Sequence, residues 1–530
     1  VTTLLFNGRI HSPSHPDATA MAIRDGIVAW LGSDDVGRDQ FADADVVDLD
    51  GAFVAPAFVD SHIHLTATGL TLSGLDLRAA TSRQHCLQLI ADHAAAHPEQ
   101  IVWGDGWDES TWPDNTPPTT ADLDDLLGER PAYLARVDVH SALASSALRR
   151  QIPDLPTAAG FADQLPLSGD AHSLARAVAR DQLTGTQLAE ARAAALDAAA
   201  RAGIVAVHEC AGPGIGGLTD WQELRATEHG VDVIGYWGEA VTSAARAREL
   251  LAETGAHGLA GDLFVDGSLG SHTAWLHRPY TDAPHCIGDC HLEPDAVAAH
   301  VRACTQAGVT AGFHVIGDAA VTAAVDAFEQ AVDELGVVAV ARCGHRLEHL
   351  EMVTAEQAAK LGAWGVIASM QPNFDALWGG DQNMYARRLG VERARQLNPF
   401  ALLASQGVPL AFGSDAPVTG LDPWASVRAA AQHHNPDSAV SVRAAFAAAT
   451  RGGWRAAGVR DGLTGTMTPG APASYAVWDA GELEVSAPSN AVQRWSTDPR
   501  SRVAALPRLS HTEALPRCRQ TVHRGAVIYG

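Results

Sequence analysis

Leu188-Ala-Glu-Ala-Arg-Ala-Ala-Ala-Leu-Asp-Ala-Ala-Ala-Arg-Ala202 runs directly into Gly203-Ile-Val-Ala-Val-His208. The first stretch is rich in Ala and Leu and reads as a helix. The second is a short β-branched run closing on an imidazole, and reads as a buried strand. The alternation continues outward. Another helical stretch spans Ala319 to Leu335, and further β-branched runs are Gly261-Asp-Leu-Phe-Val-Asp266, Val309-Thr-Ala-Gly-Phe-His314, Gly365-Val-Ile-Ala-Ser-Met370 and Val408-Pro-Leu-Ala-Phe-Gly413. Strand and helix alternating over this length predict a parallel sheet with helices outside, either barrel or doubly wound. No glycine-rich phosphate fingerprint follows these strands, so dinucleotide binding is unsupported.

The chain ends read differently. Leu4-Leu5-Phe6 leads to Asn7-Gly8, a hairpin signal. Met21-Ala-Ile23 leads through Arg24-Asp25-Gly26 to Ile27-Val-Ala-Trp-Leu-Gly32. Near the far end, Gly465 to Gly470 precedes Ala473-Ser-Tyr-Ala-Val-Trp-Asp479, and Gln520 to Tyr529 reads as a hairpin arm. Two β-rich ends around an α/β middle predict that the termini meet in one sheet-built domain. The segment from about 66 to 200 is rich in Trp, Pro and Asp and reads as an inserted subdomain.

Composition excludes some functions. With 530 residues, 46% apolar and 19% charged, the chain has ample material for a large core. A formal charge of −25 repels phosphate backbones and anionic lipid, so no nucleic-acid or membrane partner is expected. Seven scattered Cys, including the Cys286–Cys290 pair, and the lack of a leader-like start point to the cytoplasm and to thiols in core or surface roles.

Polar groups that close apolar runs carry the chemistry. In Phe58-Val-Asp-Ser-His62-Ile-His64 the two imidazoles are two apart and share one strand face. His314, His349 and Asp415 end Thr310–His314, Arg346-Leu-Glu-His349 and Leu410-Ala-Phe-Gly-Ser-Asp415. In a barrel, groups at carboxyl ends of strands converge on one mouth. Singly, each is a hydrogen-bonded rim residue. Together, four imidazoles and a carboxylate form a donor set for Zn²⁺, with Fe²⁺, Mn²⁺ and Co²⁺ as alternatives.

With these residues in that order, the sequence resembles the amidohydrolase superfamily of metal-dependent hydrolases, and within it the branch that includes N-substituted formamide deformylases. The likeness extends through Gly104-Asp-Gly-Trp107-Asp108, Arg136-Val-Asp-Val-His140-Ser, Asp266-Gly-Ser-Leu-Gly-Ser-His-Thr-Ala274, His314-Val-Ile-Gly-Asp318, Gln371-Pro372 and Gly413-Ser-Asp-Ala-Pro417. It implies a distorted (β/α)₈ TIM-like barrel over 56–462, an inserted α/β subdomain at about 66–200, and a composite β-sandwich from 1–55 and 463–530. It implies that His62 and His64 hold one metal, His314 and His349 a second, and that Asp415 binds metal and carries the proton of the attacking water. Many such relatives have a lysine, whose carbamate bridges two metals, where this chain has Asp262. Three outcomes stay open: a bridge by Asp262, a bridge by Glu209 or Cys210, or one metal only.

His140, His272, Trp107 and Arg346 are candidate substrate contacts, with Trp103 and Trp112 as further pocket walls. A structural ion pair is the competing role for Arg346, and core packing for the tryptophans. Asp318 is expected to orient an imidazole or cap a helix. The chemistry expected is hydrolysis of a non-peptide C–N bond in a small molecule, such as an N-formyl or N-acyl amine. Cyclic-amide opening or deamination on the same site is the alternative, and a catalytically silent scaffold of the same fold is a third reading. A homodimer is the expected assembly.

Overall fold

The computed structural model describes residues 2–98, 100–485 and 503–530. The helix expected from residue 188 spans Gly185–Arg201. Its first turn is closed by a capping box, in which the Thr184 hydroxyl accepts the Gln187 amide and the Gln187 side chain accepts the Thr184 amide. The chain then turns at Gly203, φ +78°, into strand Ile204–Ala211, which is buried along its whole length. A Cβ at Gly203 would collide with the Trp478 ring, so glycine lets the C-terminal strand lie against this turn.

Strand Ile204–Ala211 lies between Phe58–Ile63 and Asp232–Trp237, all parallel. A second parallel sheet orders Gly312–Val315, Arg346–His349, Ile367–Met370 and Leu410–Phe412. Single parallel bridges join the sheets. Ile63 meets Ala416 on one side, and on the other Tyr236 meets Gly258, Leu259 meets Ala311 and Phe264 meets His314. Helices such as Pro294–Ala307, Asp318–Leu335 and Ala355–Trp364 contribute their buried residues to the same core as the strands.

The expected strand at 261–266 is absent as a regular element. Gly261 adopts φ +76°, and pairing survives only as the bridges at Leu259 and Phe264. The kink packs against Cys210 and Tyr236, and the next residue presses on Gly238, whose Cβ would stand 2.7 Å from the Asp262 carbonyl oxygen.

The chain ends build two sheets. One orders Arg9–Ile10, Phe53–Pro56, Tyr475–Asp479, Arg517–His523 and Ala526–Tyr529, so it draws on both termini. The other orders Ile27–Gly32, Ala20–Arg24, Thr2–Phe6 and Asp45–Asp48. Leu5, Ile10, Met21, Val28, Val54, Tyr475 and Val522 share one buried cluster between them. The turns at Asp25-Gly26 and Arg524-Gly525 make hairpins, each with left-handed backbone at both positions. Asn7-Gly8 does not. Its flanking strands belong to different sheets, and left-handed Asn7, bonded to Asp48, carries the chain from one to the other. Of the arm expected at 463–530, residues 486–502 lie outside the described residues.

The segment 66–200, expected as an insert, is more regular than its composition suggested. It contains a five-stranded sheet, Leu167–Ser168, Ser141–Ala144, Ala132–Arg136, Val102–Trp107 and Leu75–Asp76. Among the described residues, no helix is long and apolar enough to cross a membrane.

Candidate metal centre

His62 lies on strand Phe58–Ile63, and His64 follows at the start of helix Leu65–Ser73. His314 lies on Gly312–Val315, His349 closes Arg346–His349, and Asp415 follows Leu410–Phe412. Asp415 is tied to the first strand, because its amide donates to the His62 carbonyl at 2.7 Å. Asp60 secures the same junction by accepting the amides of His62 (3.2 Å) and Ser414 (2.9 Å). His349 and Asp415 both adopt left-handed backbone, φ +69° and +54°. Non-glycine residues held there are strained, and such strain clusters at functional sites.

Asp262 stands among the four imidazoles. Its Oδ1 lies 3.4 Å from His62 Nε2, 3.5 Å from His314 Nδ1 and 3.8 Å from His349 Nε2, and its Oδ2 lies 3.1 Å from His64 Nε2. Asp415 Oδ1 is 3.4 Å from His62 Nε2 and 3.3 Å from His64 Nε2. The trios His62–His64–Asp262, Asp262–His314–His349 and His62–His349–Asp415 each bring ligand atoms within 4.8 Å of one another. A short Asp reaches this position because the backbone approaches: the Gly261 kink and the bare Gly238 allow residue 262 to sit close to the centre.

The other two bridge candidates are placed differently. The Glu209 carboxylate accepts the Leu65 amide at 2.7 Å and joins none of these trios. Cys210 groups with His62 and Glu348, away from His64, His314 and His349, and burial pushes its thiol up to about 12.

Three imidazoles are oriented from behind. His62 Nδ1 bonds Glu348 Oε2 at 2.8 Å, His349 Nδ1 bonds Gln371 Oε1 at 2.7 Å, and His314 Nε2 bonds the Gly267 carbonyl at 3.1 Å. Each contact makes the outer nitrogen the donor and turns a lone pair inward, the tautomer a metal ligand needs. The inward atoms, His62 Nε2, His314 Nδ1, His349 Nε2 and Asp262 Oδ1, are buried and have no hydrogen-bond partner. Leaving such a group unmatched costs about 1–3 kcal/mol. Four converging on one point fit a shared cation.

The charges agree. Burial pulls the Asp262 and Asp415 carboxyls upward, but the surrounding imidazoles, His62 foremost, outweigh it and hold both below the usual carboxylate range. Burial pulls His64 down, yet its bonds to Asp262 and Asp415 win and raise it to about 9. The centre draws positive charge. It opens on a cavity of about 250 Å³ lined by His64, Asp262, His314, Asp415 and His140, among others.

Residues 45–529 match the family model described as amidohydrolase family. The chain belongs to the amidohydrolase family. It is 28% identical to Protein LONG AFTER FAR-RED 3 of Arabidopsis thaliana, over 91% of this chain and 89% of that one. It is 28% identical to N-substituted formamide deformylase of Arthrobacter pascens over a shorter stretch, 24% of this chain and 25% of that one. Among solved structures, an uncharacterized metal-dependent hydrolase from Pyrococcus furiosus superposes with a TM-score of 0.68 at 27% identity, covering 91% of this chain and 99% of that one.

The candidate substrate contacts of this amidohydrolase divide. His140 lines the cavity, its ring 5.0 Å from that of His314. Burial lowers it to about 3, so it is a neutral imidazole. Arg346 does not reach the cavity. It is fully buried beneath the centre, bonded to Glu348, the Ser61 carbonyl, Ser369 and His208, and serves as the ion pair that holds Glu348 under His62. Trp107 is also interior: its indole donates to the Leu134 carbonyl, and it packs with Trp112 in the core of the insert. Trp103 lies in a neighbouring cluster. His272 bonds Asp282 at 3.0 Å and is not among the cavity-lining residues. Asp318 sits in the first turn of its helix and accepts the His277 amide, touching no imidazole of the centre. Cys286 and Cys290 are free thiols that bond separate carbonyls.

Sequence reasoning passed over Glu348, Gln371 and Asp60. All three lie inside the motifs Phe58-Val-Asp-Ser-His62, Arg346-Leu-Glu-His349 and Gln371-Pro372, where a carboxylate or amide was the available signal.

Proposed function

We propose that this amidohydrolase hydrolyses a non-peptide C–N bond of amide type, such as that of an N-formyl or N-acyl amine, with the help of divalent metal. The observation that carries the reading is the set of four buried, unpartnered donor atoms that converge beside an open cavity lined by two of their residues, Asp262 and His314. His62, His64 and Asp262 would hold one ion, and Asp262, His314 and His349 a second, with Asp262 shared between them. The nitrogen and oxygen donor set suits Zn²⁺. When bound, such an ion supplies Lewis acidity, which polarises a carbonyl and acidifies water.

The protein groups have separable tasks. Asp415, beside both His62 and His64 and facing the cavity, takes the proton of the attacking water and delivers it to the departing nitrogen. Neutral His140 is placed to hydrogen-bond the substrate carbonyl. Arg346 keeps Glu348 ionised, and Glu348 fixes the His62 ring.

The same reading includes the finer architecture. The bridges that join the two parallel sheets at both ends support a distorted (β/α)₈ barrel, and the shared cluster of terminal strands supports a composite β-sandwich from 1–55 and 463–530. The test is metal analysis of protein purified without chelators. It is followed by a panel of formamides, N-acyl amino acids, hydantoins and aminopurines, with released formate, acid and ammonia measured. Negligible metal with no gain on adding Zn²⁺ would favour the silent scaffold, and ammonia from aminopurines the deaminase.

A further inference from the structure

Helix Gly169–Arg180 closes one side of the 250 Å³ cavity, and Gly169, His172, Ser173 and Arg176 line it at helical spacing. Arg176 differs from the arginines around it. Arg180 pairs with Asp220 at 2.9 Å, Arg192 with Asp220 at 2.8 Å and Glu223 at 2.6 Å, and Arg136 with Asp108, Glu109 and Asp138. Arg176 forms no hydrogen bond or ion pair with any described residue, although it is half-buried.

The acids near it are committed or remote. Asp138 serves Arg136, Ser268 and Ser271. Asp262 and Asp415 serve the imidazoles, and Asp105 accepts Thr71 and Trp103. Asp170, exposed at the rim, makes no ion pair with it. In a chain of net charge −25, an unpaired guanidinium inside the catalytic cavity is a built receptor for an anion. Sharing Asp138, His140, His314 and Asp415 with this cavity is a mostly apolar niche of only about 30 Å³, whose other walls are Leu269, Ile316, Phe374, Trp378 and Met384, beside Ser268 and Glu351. That is about the space of one water or methyl group.

We infer that Arg176 is the anion subsite of this amidohydrolase, and that its substrates are short-chain N-acyl derivatives, formyl or acetyl, of amines bearing a carboxylate. The inference rests on the C–N hydrolase reading. The acyl carbon lies over the metal ligands with its small substituent in the niche, and the amine portion extends to Arg176. Water oxygen bonds to the acyl carbon, the C–N bond breaks, a water proton ends on nitrogen, and the substrate carboxylate leaves unchanged on the amino acid.

The test uses Zn²⁺-loaded full chain, wild type and the variants Arg176→Met and Arg176→Lys. Turnover of N-formyl- and N-acetyl-leucine is compared with that of their C-terminal amides. In parallel, calorimetry measures binding of 2-isobutyl-4-oxopentanoate, a ketone in which CH₂ replaces the scissile nitrogen, and of its carboxamide. The expected result is a wild-type preference of at least tenfold for the acids. Arg176→Met should lose about 10- to 100-fold in kcat/KM and in ketone-acid binding, and Arg176→Lys should recover part of both. Equal handling of acid and amide, failure of the ketone acid to bind wild type, or an unaffected Arg176→Met would overturn the subsite. Hydrolysis of acids and amides alike would leave the C–N reading standing. Absence of all turnover would remove that reading, while the ketone titration would still judge Arg176.

Discussion

Asp415 and Glu348 both stand next to His62, yet replacing them should fail in different ways. Asp415→Asn keeps size and an oxygen donor but cannot carry a proton. Turnover is expected to fall by at least about 100-fold, with metal content, measured by plasma mass spectrometry, largely kept. Near wild-type turnover would remove Asp415 from proton transfer. Glu348→Gln leaves an amide under His62 and strips Arg346 of its counter-charge. Weakened support behind a ligand costs about 10- to 100-fold in metal affinity, to be read by chelator competition. An unchanged affinity would show that His62 orients itself without help. The sequence displayed these residues but not their facing. His62, His64, His314, His349 and Asp415 were legible because each ends an apolar run. Arg346 was open to misassignment because its distance in sequence from His349 says nothing about depth. The left-handed backbone at His349 ends the strand and re-aims its imidazole, while Arg346 stays beneath.

At the scale of the element, the segment around Asp262 is the least sequence-legible part of the site. The run 261–266 has strand composition, and a lone Asp looks too short to lie among two pairs of imidazoles. Its reach comes from a kink at Gly261 and from the missing side chain at Gly238, neither of which a hydrophobic pattern encodes. Gly238→Ala is therefore expected to displace residue 262 and lower metal content without unfolding the chain. A variant with full metal content and normal circular dichroism would show that Asp262 is not needed. The insert makes a second prediction. Burial raises Asp105 from the ordinary 3.8 to about 6, against opposing contributions from Thr71, Arg176 and Trp103. Between those values the unfolded chain releases this proton before the folded one does, so this group's contribution to stability falls as pH rises. The unfolding free energy of wild type minus that of Asp105→Asn should drop by about 2 kcal/mol between pH 4 and pH 6. A flat difference in denaturant titrations would contradict the assignment.

For the whole molecule, a cation held among strands of both parallel sheets acts as a cross-link. Removing it with a chelator should lower the thermal midpoint, and Zn²⁺ should restore it. Ligand at 100 times its dissociation constant adds about 2.7 kcal/mol, a shift of several degrees in scanning calorimetry. An unmoved midpoint would place the ion outside the folded framework. The α/β middle and the β-rich ends were readable from period and turn residues. The path at Asn7-Gly8 was not, because a dipeptide that favours a hairpin equally serves a crossing between sheets once Asp48 holds its side chain.

The hydrogen bond from the Asp415 amide to the His62 carbonyl joins the first strand of the parallel framework to the segment that follows its last, and the ring of Trp478 seals the turn before Ile204. A ribosome must therefore deliver most of the polypeptide before the earliest histidines acquire their neighbours. Until then those imidazoles have only loose, local company. On the proposed metal reading, loading would be a late event in biogenesis, and a nascent chain halted before residue 410 should hold Zn²⁺ no better than a short His-x-His peptide.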